Sequence, residues 1–241
     1  MSLINKISIY YLIIAFLLSL YILGIFSFGF EKIFWQFLPP VLATVISGAI
    51  FDYLELKRWS RPLTPLITGL IIGLVAQFGA GFFVLSAIGI SAMAIKFFVK
   101  ANGRHIFNPA ASGLVFGMVL FSSIPSWWVG GENPWIFLIW FPVLLLKMKR
   151  WAPMVGFLIP AAIFSGINIF FSASLLFFIS VMLIEPKTSP ALLKNGLIYG
   201  LITGVGYVGL ANLGTLDPFI PALLFGNLIH STSLRINTER S

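Results

Sequence analysis

Long apolar runs separated by short polar clusters make up nearly the whole chain. A window of about 19 residues marks ten of them: Ile9–Phe30, Trp35–Phe51, Leu63–Phe78, Gly81–Val99, Phe107–Phe121, Trp135–Leu146, Ala152–Phe170, Ser172–Ile184, Leu197–Leu213 and Phe219–Ser231. A helix that crosses a bilayer needs roughly 20 residues. Ten such helices with short loops use almost all of the 241 residues. The pattern therefore predicts a single all-α transmembrane domain over residues 1–241, with the lipid bilayer as its principal partner. The first run is too long for the apolar core of a signal peptide and lacks a small-residue cleavage site, so it reads as the first span.

The polar clusters test that count. With the N-terminus inside, the inner loops are residues 1–8, 52–62, 96–106, 147–151, 185–196 and 232–241. They hold Lys6; Lys57, Arg58 and Arg61; Lys96, Lys100 and Arg104; Lys147, Lys149 and Arg150; Lys187 and Lys194; Arg235 and Arg240. Of the 15 basic residues only Lys32 falls outside. The positive-inside rule then predicts a multi-pass protein of the cytoplasmic membrane with both termini in the cytoplasm. Charged residues are 9% of the chain, against roughly 25% in a soluble domain, too few to cover a water-facing surface. The net charge of +8 is accounted for by these loops, and no nucleic-acid partner is expected.

Ten spans divide into two halves of five, about 1–125 and 135–235, and an odd number per half inverts the second relative to the first. Span two holds Phe37-Leu38-Pro39-Pro40 and then Ser47-Gly48; span seven holds Phe157-Leu158-Ile159-Pro160 and then Ser165-Gly166. Span five opens Phe107-Asn108-Pro109-Ala110, and span ten opens Phe219-Ile220-Pro221-Ala222. Both pairs lie five spans apart, as an inverted repeat requires, and such repeats place binding sites or pores at their interface. Leu66–Gly73 also resembles Leu197–Gly204, but these spans run in the same direction. Small residues four apart predict close helix packing there.

Chemistry is narrowed by what is missing. The chain has no cysteine, which excludes disulfides, thiolate-held iron–sulfur clusters and thiolate zinc sites. Its two histidines are too few for most haem or zinc sites, and no metal is expected. Two inner loops mix charge, turn residues and proline: Lys100–Ala110 and Glu185–Pro190. Asn108 before Pro109 and Ser189 before Pro190 both read as N-caps with proline in the first turn. Such starts either cap helices beside orienting charge or offer free N–H groups to an anion. Trp127, Trp128 and Trp135 read as an outer aromatic belt. Glu132 and Asp217 read as solvated loop carboxylates, Gln77 and Asn168 as hydrated helix ends, and Lys96 as snorkelling to the inner interface. Asn227 lies deeper, and a polar group in lipid needs a partner, so it is a site candidate.

Several of these stretches resemble one family, the membrane flavoprotein subunits B of the sodium-pumping NADH:quinone reductase and D of the Rnf complex. Gly103–Ala110 is similar to the family's Asn-Pro-Phe-Asn-Pro-Ala signature. Val181–Pro190 is similar to its Met-Ala-Thr-Asp-Pro-Val-Thr-Ser-Pro segment, with Gly196–Gly200 at the family's spacing. Leu66–Leu70 and Leu224–Asn227 resemble two of its helices. The resemblance implies ten helices in two inverted five-helix repeats, as in urea channels, with flavin in the membrane and electron transfer coupled to sodium or proton movement. It also implies partner subunits and a quinone or other small molecule as ligand. The family attaches FMN to a threonine in a Ser-Gly-Ala-Thr-like motif after span five; residues 121–135 contain no threonine. The expected cofactor is therefore a non-covalent flavin, riboflavin or FMN, with no covalent FMN. Arg104, Asn108, Pro109, Lys187, Thr188, Ser189 and Asn227 are its expected contacts, Arg104 and Lys187 supplying positive charge. Glu185 would repel a reduced flavin unless it pairs with Arg104 or Lys187, or serves a cation instead. The alternative is a channel or transporter for a small solute, possibly a flavin, on the same fold; an assembly subunit without cofactor is a third.

Overall fold

The computed structural model of the chain describes residues 7–59, 61–128, 135–166, 169 and 172–238. Lys6, Glu132, Asn168 and Arg240 lie outside the described residues, as does part of the loop 121–135 that is expected to carry no covalent flavin. The described residues form an all-α fold of ten helices: α1 (Ile9–Phe28), α2 (Phe30–Leu56), α3 (Leu63–Val75), α4 (Phe82–Phe98), α5 (Pro109–Phe121), α6 (Trp135–Met148), α7 (Trp151–Ser165), α8 (Ala173–Met182), α9 (Leu193–Asn212) and α10 (Phe219–Thr238). The last five residues of α8, Phe178–Met182, widen into a π-helix. The one β element described is a two-residue ribbon, β1 (Lys100–Ala101) against β2 (Arg104–His105), antiparallel with Lys100 opposite His105. By length and composition α1 and α2 could each cross a membrane alone.

Each apolar run corresponds to one helix, with two informative shifts. Helix α2 begins at Phe30, directly after Gly29, whose φ of +88° turns the chain in a single residue that a side chain would strain. Lys32 thus sits in a helix rather than a loop. Helix α9 begins at Leu193 with Leu192 at its N-cap, so Ser189 does not cap it and the expected helix start at Ser189-Pro190 does not form.

Packing is dominated by small residues and prolines. Helix α2 carries Pro39 and Pro40 in its interior, which removes N–H donors and leaves carbonyls without their helical partners. Helices α3 and α4 press on that stretch. A Cβ on Gly69 would come within 2.7 Å of the Val41 backbone and 2.9 Å of the Pro40 carbonyl, and one on Gly89 within 3.1 Å of the same carbonyl. In the second half α7 and α9 pack closely. A Cβ on Gly200 would collide with the Pro153 carbonyl, and one on Gly204 would lie 2.7 Å from that of Phe157. The glycines of Leu66–Gly73 and Leu197–Gly204 are thus packing positions. Helix α1 packs on α3 and α6, α4 on α5, α9 on α10, and α5 on α10.

Helices α5 and α10 are antiparallel, and their starts define two ends of the molecule. The α5 start lies among Arg104, Arg150 and Lys187, the basic end. At the opposite end the structure corrects the reading of the outer aromatics. Trp127 is only 8% exposed, with its backbone at φ +46°. Its ring lies edge-on to Phe177, Phe178 and Phe219, and its indole N–H donates to Asp217 Oδ2 at 2.6 Å. Trp128 donates to the Gly73 carbonyl at 2.8 Å and packs on Tyr21 and Phe28. These two side chains are pegs driven into the bundle, while Trp135 is exposed. Asp217 is buried rather than solvated. It accepts the Phe219 and Ile220 N–H groups at 2.9 and 3.2 Å and so caps α10. Burial pushes its carboxyl above the usual range, against the bonds from Trp127, Ile220 and Phe219 that pull it down.

Candidate functional site

The basic end is built around a carboxamide bridge. Asn108 caps α5 as its sequence implies: its side-chain oxygen accepts the Ala111 N–H at 3.0 Å, and its Nδ2 donates to the Met182 carbonyl at 3.4 Å. Its own backbone N–H donates to Asn227 Oδ1 at 2.9 Å. Asn227 Nδ2 donates in turn to the Tyr199 hydroxyl at 2.8 Å and the Thr188 carbonyl at 3.4 Å. Both asparagines are buried, Asn227 at 1% exposure. Every polar group in this bridge has a partner, as burial demands. The bridge brings the two loops together as the sequence implied. It also spends donors that were expected to face a ligand. Pro109 has no N–H, and those of Asn108 and Ala111 are taken.

The second loop closes on itself. Ser189 donates its hydroxyl to the Glu185 carbonyl at 2.8 Å, and Thr188 Oγ1 donates to Glu185 Oε2 at 3.0 Å. Arg150 Nη1 donates to the Ser189 carbonyl and, at 3.1 Å, to its hydroxyl. Ser189 therefore fastens the loop to Arg150 instead of starting a helix. Pro190 lies two residues before the next N-cap, Leu192, and is not itself in helical backbone, so the expected helix start fails. Glu185 does not pair with Arg104 or Lys187. The ring facing it is His105, Nε2 to Oε1 3.9 Å. Burial lowers the Arg150 guanidinium below its usual proton affinity.

Four cavities lie around this framework among the described residues, and three of them meet. The largest, about 480 Å³, is lined by Arg104, Arg150, Lys187, Thr188, Ser189, Asn227 and His230 among others, with no carboxylate among the described residues of its lining. A chamber of about 130 Å³ reaches Asn108 and Pro109 between apolar walls that include Ile13, Ile67, Ile71 and Val181, with Lys96, His105, Glu185 and Lys187 at its polar side. A third, about 240 Å³, holds Asp52, Glu55, Lys96 and Lys100. His105 and Lys187 line all three. Of the residues expected to touch ligand, five line the largest cavity and the other two, Asn108 and Pro109, line the chamber. Arg150, His105 and Lys96 belong beside them. Arg150 was hidden among orienting charges, and His105 carried no sequence signal beyond its place in the signature stretch. Asn102-Gly103 was the legible signal for the ribbon, since this pair favours the tight turn that joins two strands.

No family model matches the chain, and no curated protein sequence matches it.

Proposed function

We propose that this chain is a polytopic membrane protein of two inverted five-helix repeats, and that it binds a flavin non-covalently at its cytoplasmic end as a subunit of an electron-transport complex. Membrane residence is supported by the outward-facing surface. Phe26, Val119, Ile139, Leu146, Ile163 and Leu213 are each at least 70% exposed, apolar area that water would penalise. The repeat is supported by the packing. Helices two and four pair in the first half, seven and nine in the second, and the related helices five and ten meet across the middle. Repeat interfaces of this kind carry ligand sites.

The observation that carries the binding reading is the cavity of about 480 Å³. It is within the size range of small-molecule sites, and Arg104, Arg150 and Lys187 line it with no carboxylate among the described residues. That suits a ligand with a phosphate, such as FMN, whose reduced ring a nearby cation also stabilises. The resemblance of the loops at Gly103–Ala110 and Val181–Pro190 to a flavoprotein family supports flavin over other phosphates. The chain lacks iron–sulfur ligands, so its electron donor and acceptor would come from partner subunits. A second reading, transport of a small anionic solute, is favoured by a different observation: cavities gather at the basic end, while Trp127 is buried among aromatic rings at the opposite one.

The test is an absorbance spectrum of the purified full chain before and after acid precipitation, followed by titration with FMN and riboflavin. Expected are released, non-covalent flavin, tighter binding of FMN than riboflavin, and a loss of roughly tenfold in FMN affinity in Arg104→Gln and Lys187→Gln, about 1.4 kcal/mol. Protein that is colourless and binds neither flavin would end the flavin reading. Reporter fusions at Ser126 and Ser172 should read outside and one at Lys187 inside; the reverse at Lys187 would end the topology.

A further inference from the structure

His105 stands at the junction of the three cavities that meet. Its side chain is 9% exposed, yet its Nε2 has no hydrogen-bond partner. A buried ring nitrogen without a partner is costly and calls for an occupant. Glu185 Oε1 faces it at 3.9 Å, too far for a hydrogen bond. We propose that His105 and Glu185 form a proton-binding site coupled to the basic cavity, so that an anion entering that cavity is accompanied by a proton taken up at His105 Nε2. The proposal deepens the reading of that cavity as an anion site and rests on it for the coupling, though not for the proton site itself.

The charges around His105 fix the sign. Lys96 on α4, Arg104 on its own ribbon and Lys187 beyond Glu185 all oppose an imidazolium. Arg150 does the same from across the largest cavity, which His230 also lines. Glu185 favours it. Asp52 and Glu55 on α2 stand with Lys96 and Lys100 in the third cavity, where Glu55 is paired with Lys100 at 2.6 Å. Tyr10 on α1 closes the chamber from the other side. An anion between Arg104, Arg150 and Lys187 cancels much of the opposition and leaves Glu185 dominant. A solvent hydronium reaching the cavity then gives its proton to Nε2 and leaves as water, and the new N–H can close the gap to Glu185. By linkage, the proton strengthens anion binding by the same factor that the anion strengthens proton binding.

The movement has a path into the fold. Glu185 Oε2 accepts from the Thr188 hydroxyl, and the Thr188 carbonyl accepts from Asn227, which holds the α5 start. A shift of Glu185 toward His105 therefore pulls on the bridge between the halves.

The experiment is a pH titration of the full chain in detergent with isotope-labelled histidine, read by NMR. His105→Gln assigns the two ring signals, and thermal unfolding checks each variant. In the ligand-free protein, Glu185→Gln should weaken proton binding at His105 at least threefold and leave His230 nearly unmoved. Saturating FMN should strengthen proton binding at His105 at least threefold. An unmoved His105 titration in Glu185→Gln would overturn the proton site. Bound FMN, seen in the absorbance spectrum, without a change at His105 would overturn the coupling. If FMN does not bind, the flavin reading fails and the Glu185→Gln comparison alone still decides the proton site.

Discussion

Helices α5 and α10 both start in buried surroundings, and the two starts are solved differently. Asn108 caps α5 with a neutral amide, and its remaining groups reach Met182 and Asn227. Asp217 caps α10 with a carboxylate, which also takes the Trp127 indole N–H. A carboxylate cancels the partial positive charge of a helix N-terminus; an amide satisfies the donors but leaves that charge in place. At the Asp217 end the charge is spent internally and aromatic rings fill the space. At the Asn108 end the helix field adds to Arg104, Arg150 and Lys187 and projects into cavities. The choice of cap thus distinguishes a closed end from a receptive one.

The largest way to break this contrast is Asn227→Leu. It removes the acceptor for the Asn108 N–H and the donor to Thr188 and Tyr199, leaving several buried groups unpaired at roughly 1–3 kcal/mol each. The expected outcome is a loss of roughly 3 kcal/mol or more, read as a large fall in the unfolding temperature in detergent. Trp127→Phe is the matching change at the other end. It strips Asp217 Oδ2 of its donor and should cost about 1–3 kcal/mol at neutral pH. Burial raises the Asp217 carboxyl in the folded chain, so its charged form weighs against folding. That penalty is absent below the unfolded carboxyl value near 3.8 and grows as pH rises through the folded one. Since the indole offsets it only when charge is present, the Trp127→Phe loss should shrink in acid. Unfolding curves at acidic and neutral pH check this, and an equal loss at both would show that the ring, not its N–H, matters. The smallest effect is expected from Thr188→Val, about 1 kcal/mol. Asn227 bonds the Thr188 carbonyl, which valine keeps, so only the hydroxyl bond to Glu185 is lost. A collapse as deep as that of Asn227→Leu would mean that the loop, not the amide bridge, holds the basic end together.

The ten helices were legible because apolar length and basic loops are properties of whole segments, insensitive to errors of a few residues. The Asn108 cap was legible because an N-cap and a following proline act within four residues. What escaped was set by partners far along the chain. Trp127 resembles a belt residue in every local respect, and only its meeting with Asp217 and Phe219, some 90 positions on, makes it a core peg. Ser189 carries the same Ser-Pro signal as a helix start, but Arg150 captures its carbonyl and the chain runs on unwound to Leu192. His105 acquires its interest only from the cavities that converge on it, and no spacing rule describes a cavity.

The hydrogen bond from the Asn108 N–H to Asn227 spans 119 positions and joins the fifth helix to the tenth. During synthesis the first five helices emerge well before Asn227 exists, so the start of α5 must wait with an unsatisfied amide until the last helix arrives. Domains made on the ribosome ordinarily settle from their N-terminal side; here the first half cannot be finished until the second is nearly complete. A chain cut short before residue 227 would carry that exposed amide as a lasting mark of incompleteness, open to cellular quality control.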